Sequence, residues 1–246
     1  MDRSIIEKLK KICFFDYRFE EDKCTKLEFV DKYSPLVGTI RHNSDKIEII
    51  NLINKLKNLE YLDLRKNRLM DDFYLDLPKL KHLDLGSNYL KKVPEWIRGL
   101  NLRFLNLGVN DLEYIPEWFS DYKFEVLKLH KNNIKKIPRI KQSLRFLNLY
   151  QNKMRDIPEW VWDLENLEFF SWGFSKVKIL SERVGQLKKI IWFSFVFNEI
   201  EEIPESFCEL SNLRGARFSK NKIKKLPNNL YKLKNLEEFQ LYGNPI

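Results

Sequence analysis

The residues best suited to bind metal or act as nucleophiles are three histidines, His42, His82 and His130, and three cysteines, Cys13, Cys24 and Cys208. Their spacing does not support either role. No Cys-x-x-Cys is present, and no pair of histidines falls at the short intervals that place two ligands in one metal first shell. A G-x-x-x-x-G-K-[ST] loop and a G-x-G-x-x-G turn are also missing from the sequence, so nothing cradles a phosphate. Asp63 and Asp84 hold equivalent places in a recurring phrase and could form a carboxylate pair, with the pKa of one member raised. No cleft or substrate group is suggested beside them. The sequence therefore predicts no catalytic residue, metal or cofactor, and the chain reads as a non-enzyme.

The residue type that does recur at fixed spacing is Asn. Asn67, Asn88, Asn110, Asn132, Asn152, Asn198, Asn221 and Asn244 each follow an L-x-L phrase, with Ser175 in that place in one copy. A catalytic or ligating Asn needs one copy, so a series of them points to architecture. Asn carries two donors and an acceptor, which can satisfy backbone groups where a chain turns away from a sheet.

The phrase that positions them reads L-x-x-L-x-L-x-x-N-x-L-x-x-I-P. It starts at Leu59, Leu80, Leu102, Phe124, Leu144, Leu167, Ile190, Leu213 and Leu236, in steps of 20 to 23 residues. Alternation within L-x-L predicts a short strand with one face buried. Such a strand cannot bury that face alone, whereas stacked copies form a continuous core. Proline suits the return segment, where no ladder N–H is needed. These residues resemble leucine-rich repeats, and the I-P ending with a step near 23 is similar to the plant intracellular Ras-group-related subgroup. The resemblance covers residues 59–246. It implies an α/β curved solenoid, with a parallel β-sheet on the concave face, short 3-10 or irregular returns on the convex face, and a role in binding macromolecules.

Two domains are expected. Residues 1–36 form an N-terminal cap, in which Ile5, Ile6, Leu9 and Ile12 have helical spacing and Phe15, Tyr17 and Phe19 alternate as a strand does. Residues 37–246 form the array, with a degenerate first copy at Val37, Ile40, His42, Asp45, Ile47 and Ile50 followed by nine recognisable repeats. The last copy ends at Ile246 without a cap, so the expectation is that the open edge is tolerated, that another subunit covers it, or that the chain is a fragment.

Positions between the conserved apolar residues become columns across the inner face, about 4.8 Å apart from repeat to repeat. Their content points to a partner. Tyr61, Phe104, Val109, Phe146, Tyr150, Phe169, Phe174, Trp192, Val196 and Phe197 gather on that face. Asp63, Arg65, Lys66, Lys128, His130, Arg214, Arg217 and Lys220 supply a polar rim. An apolar centre with a polar rim is the anatomy of a protein-binding surface. The plainer reading is that the rings only pack on one another. Trp96, Trp118 and Trp160 recur on the returns as Pro-Glu-Trp and are expected to cover the outer core.

The formal charge of +9 admits an anionic surface or nucleic acid as an alternative partner. Both signs are interspersed, and acids interrupt the lysine pairs Lys91-Lys92, Lys135-Lys136 and Lys224-Lys225, so a phosphate track is disfavoured. No apolar run reaches the length of a membrane span, and the odd, scattered cysteines suit a reducing compartment. A cytoplasmic protein- or peptide-binding module is the expectation, with the recognition part of a larger assembly as a further alternative.

Overall fold

The computed structural model describes residues 1–12, 15–29 and 43–246. Among these residues one sheet has eleven strands, ordered β1 to β11 as in the sequence. Helix α1 (Asp2–Ile12) buries Ile5, Ile6 and Leu9, and a hairpin follows, β1 (Asp16–Glu20) with β2 (Lys23–Glu28). The remaining strands are three residues each: β3 (Tyr61–Asp63), β4 (His82–Asp84), β5 (Phe104–Asn106), β6 (Val126–Lys128), β7 (Phe146–Asn148), β8 (Phe169–Ser171), β9 (Trp192–Ser194), β10 (Gly215–Arg217) and β11 (Glu238–Gln240). All pairings from β2 onward are parallel and in register, so Leu62, Leu83, Leu105, Leu127, Leu147, Phe170, Phe193 and Ala216 align. Those residues are fully buried. The arrangement is the leucine-rich repeat solenoid.

Returns carry short 3-10 helices at Glu95–Ile97, Glu117–Asp121, Glu159–Asp163, Glu182–Gln186, Glu205–Glu209 and Leu230–Lys232. Pro94, Pro116, Pro158 and Pro204 each stand immediately before one, with φ between −60° and −66°. Proline's ring favours that φ, and no ladder bond is lost there. In repeat six Ser181 takes the place of proline, and its side chain accepts from Arg183 N–H. Trp96, Trp118 and Trp160 pack half-buried against the core.

The start of the array differs from the sequence reading. Asp45, Ile47 and Ile50, read as part of a degenerate repeat, lie in helix α2 (Asn43–Ile53). Ile47 is exposed, while Ile49, Ile50, Leu52 and Ile53 are buried. Val37, Ile40 and His42 lie outside the described residues, as does the expected boundary at residues 36 and 37. The edge beside β3 is taken by β2, pairing Lys26 with Tyr61 and Leu27 with Leu62. Cys24, Leu27 and Phe29 are fully buried and stand at the L-x-x-L-x-L offsets. The repeat phrase thus begins inside the hairpin, with Cys and Phe in place of two leucines.

Candidate recognition surface

The turn after each short strand is built the same way. The residue before each Asn has a left-handed backbone: Lys66, Ser87, Val109, Lys131, Gln151, Phe197 and Lys220 have φ between 53° and 60°, and Gly243 has φ 75°. Phe174, before Ser175, has φ 56°. This conformation turns the chain out of the sheet and aims backbone carbonyls at the Asn. Asn110 Nδ2 donates to Leu85 O at 3.0 Å and Leu107 O at 3.0 Å, and Leu90 N–H donates back to Asn110 Oδ1 at 3.1 Å. Asn132 repeats the set on Leu107 O, Leu129 O and Leu112 N–H. Each Asn therefore ties its own turn to the repeat before it.

The sheet's outward positions form a ladder of rings. His82 is stacked between Tyr61 and Phe104, with centroids 4.0 Å and 3.7 Å away. Val126 interrupts this column, and Lys128 Nζ lies 5.1 Å from the Phe104 ring and 5.4 Å from Phe146. Phe146 then stacks on Phe169 at 4.1 Å. Tyr61, Phe104, Phe146, Phe169 and Trp192 are all half-buried, because each ring spends one face on a neighbour. Val109, Phe174 and Phe197 are more open, at 39%, 43% and 44% exposure. Phe174 stacks on Phe197 at 4.2 Å and meets Tyr150 edge-on at 5.2 Å. Val196 lies half-buried in repeat seven.

Glycines beneath some rings were a signal that column reading passed over. A Cβ on Gly108 would come within 2.2 Å of the His130 ring, one on Gly173 within 2.8 Å of Tyr150, and one on Gly215 within 2.1 Å of Trp192. In each case a ring lies over the glycine of an adjacent repeat. His130 is half-buried by this arrangement, and burial, with Lys128 and Lys131 nearby, holds its pKa below the ordinary histidine value.

The rim is uneven. Arg65, Arg214, Arg217 and Lys220 are exposed, and Lys66 and Lys128 are half-buried. Arg217 pairs with Glu238 at 2.6 Å and lies 5.5 Å from the Trp192 ring. Asp63 is not an exposed rim group: it is fully buried. Its carboxylate accepts from Arg65 N–H at 2.9 Å and from Arg65 Nη2 at 2.6 Å. Next to it, Asp84 is pushed up to about 6, chiefly by burial. The hydrogen bond from Asn106 opposes that rise and the Asp63 charge adds to it. Arg65 Nε lies 3.4 Å from Asp84, so the two carboxylates share one guanidinium in a closed column.

Charge on the flank of the sheet is cross-paired between neighbouring repeats. Lys81–Glu60, Arg103–Glu125, Arg145–Glu168 and Arg214–Glu237 sit at 3.0, 3.2, 2.8 and 2.6 Å. Among the described residues no group of three or more His, Cys, Asp or Glu side chains could hold a metal ion, and no helix is long and apolar enough to cross a membrane.

These features define a leucine-rich repeat solenoid with a ring-bearing concave face. The leucine rich repeat family profile matches residues 69–112. No curated protein matches the chain significantly in sequence. Among solved structures, a Leptospira interrogans leucine-rich repeat protein is 26% identical with a TM-score of 0.56, over 78% of this chain and 63% of that one. A Listeria monocytogenes internalin, inlF, is 18% identical with a TM-score of 0.62, over 99% of this chain and 75% of its own. The plant peptide hormone receptor RGFR1, in complex with RGF2, is 20% identical with a TM-score of 0.65, over 78% of this chain and 37% of the receptor. This chain thus spans under two thirds of the Leptospira protein and of the plant receptor.

Proposed function

We propose that this chain is a protein- or peptide-binding module that engages its partner through the concave rings of repeats three to seven. The observation that carries the reading is the placement of Val109, Phe174 and Phe197. They are open to solvent on left-handed backbone, where L residues cost roughly 1–2 kcal/mol. Gly243 holds the equivalent place in repeat nine with φ 75°, so the turn itself asks for no ring. Large apolar groups kept at a strained, exposed position suit a partner better than a fold. Phe146, Phe169 and Trp192 are the half-buried anchors behind them, and Arg217 shapes one rim.

Fold-mates support the reading in kind, since the RGFR1 receptor was solved in complex with RGF2. Cross-paired flank charges favour a protein partner over nucleic acid. The I-P endings and steps near 23 support placing the chain with the plant intracellular Ras-group-related subgroup. The free, buried thiols of Cys24 and Cys208 support a cytoplasmic location. The test is a Phe174→Gly/Phe197→Gly variant, which suits the backbone and removes both rings. Its urea midpoint should stay close to wild type, while a partner identified with the wild-type chain is no longer retained. Undiminished retention would refute the reading.

A further inference from the structure

Beyond the concave rings, a second surface lies on the edge where the strands turn into the returns. Two columns run along it. One holds Lys153 and Lys176 in repeats five and six, followed by Glu199 and Lys222, which pair at 2.8 Å. The other holds Arg155 and Lys178, flanked by Glu113–Lys135 at 3.9 Å on one side and Glu201–Lys224 at 3.5 Å on the other. The flanking repeats thus alternate sign, while repeats five and six set four exposed cations side by side. Among the described residues none of the four forms an ion pair within 4 Å, and the nearest acid to act on them is Glu199, whose carboxyl is held low mainly by Lys222 and to a smaller extent by Lys178 and Lys176. Like charges at neighbouring positions repel, and Glu113, Glu199 and Glu201 show that these positions accept acids.

The same place is where the repeat itself departs from pattern, with Ser175 for Asn and Ser181 for Pro. Two clefts of about 710 Å³ open there and share Arg155, Asp156 and Lys176. Phe174 lines one; Trp162 and Ile179 line the other. Trp162 is 1% exposed, and its indole N–H has no partner among the described residues. Ile179 is 81% exposed.

From this juxtaposition we infer that the edge of repeats five and six docks an acidic peptide segment bearing an apolar side chain. Carboxylates meet Lys153, Arg155, Lys176 and Lys178, and the apolar group meets Ile179. The cationic stretch is two repeats long and ends at Glu199 and Glu201. A phosphodiester strand, with a charge about every 3.4 Å, would run onto those acids, whereas a short peptide need not. The inference does not depend on the concave rings being a binding face.

The test is fluorescence anisotropy at low salt with a fluorescein-labelled heptapeptide, Glu-Asp-Glu-Leu-Glu-Asp-Glu. Its Gln/Asn twin and a twenty-base oligothymidylate are the comparison probes. Wild type should bind the acidic peptide at least tenfold more tightly than either. Arg155→Gln/Lys178→Gln should weaken it tenfold or more. Lys91→Gln/Lys92→Gln, which removes two cations from repeat two, should leave it unchanged. Phe146→Ser/Trp192→Ser should also leave it unchanged, which separates this site from the concave one. Absence of saturable binding, equal binding by the Arg155/Lys178 variant, or tighter binding of the oligothymidylate would overturn the inference.

Discussion

Asn198 and Ser175 stand one repeat apart, and between them the Asn ladder loses a rung. Asn198 Nδ2 still reaches Trp172 O and Phe195 O at 3.0 and 3.1 Å. Its Oδ1, buried, has no hydrogen-bond partner among the described residues. Two steps earlier and one step later, the same oxygen accepts the amide two residues past the preceding Asn, as Ile134 N–H does to Asn152 and Ile200 N–H to Asn221. Here the equivalent amide follows Ser175, and that bond is not made.

An Asn at 175 could accept from Met154 N–H and donate to Leu149 O, as Asn152 does with Ile134 N–H and Leu129 O. Ser175→Asn should therefore stabilise the chain by about 1 kcal/mol, the net worth of an added hydrogen bond. For a chain of this size that is a rise of roughly 2–4 °C in Tm, read by circular dichroism. The reciprocal change, Asn132→Ser, strips two carbonyls and an amide of their partners and should cost about 1–3 kcal/mol. A Ser175→Asn variant that melts lower than wild type would contradict the ladder account.

Trp192 and Gly215 form a tight pair, so Gly215→Ala should displace the indole. Strain of this sort costs about 1–3 kcal/mol, and the near-ultraviolet dichroism of Trp192 should change with it. In a Trp192→Ala background the same change should cost almost nothing, because the clash has gone. Equal costs in both backgrounds would show that the indole does not occupy the space above residue 215.

Stability against pH should carry the signature of repeat two. Burial first, then Lys128, Lys26 and Arg65, push His82 down to about 4. Its folded value lies below the ordinary 6.5, so the unfolded chain takes up the proton first. Stability from neutral His82 is present above pH 6.5 and is lost as pH falls towards 4. Asp84 runs the other way: its folded value of about 6 lies above the ordinary 3.8. Its contribution is complete below 3.8 and is lost as pH rises through 6. His82→Phe keeps a ring between Tyr61 and Phe104 and removes the first effect. From pH 6.5 to 5 the two effects oppose and leave wild type nearly level, whereas urea midpoints of that variant should rise.

Left-handed backbone at the residue before each Asn predicts graded responses to glycine. Val109 is β-branched at φ 58° and open to solvent, whereas Lys131, at φ 53°, is unbranched. Val109→Gly should stabilise by roughly 0.5–1 kcal/mol, strain relief exceeding the added freedom of the unfolded chain. Lys131→Gly should gain less. Chemical denaturation of both variants checks the order.

Much of the array was readable from residues alone. A register of Leu, Asn and Pro repeated at steps near 23 leaves one way to bury all the L-x-L faces, so strands, turns and returns follow from spacing. The hairpin strand β2 (Lys23–Glu28) is hard to read from sequence because Cys24 and Phe29 stand where Leu usually does, and because the step to Leu59 is longer than a repeat. The α2 segment misled because Ile47 and Ile50 satisfy the L-x-x-I offset of a return as well as a helical one.

What sequence determined by itself was period, and hence which residues share a column. Period says nothing about how side chains divide the space within a column, because that depends on ring orientation and neighbour size in three dimensions. Only the tertiary structure turned Trp192 onto Gly215, closed Asp63 and Asp84 beneath Arg65, and left Phe174 and Phe197 open. It also brought Lys153, Arg155, Lys176 and Lys178 together across two repeats. Residues 23 apart in the chain become neighbours about 4.8 Å apart only when strands stack in register.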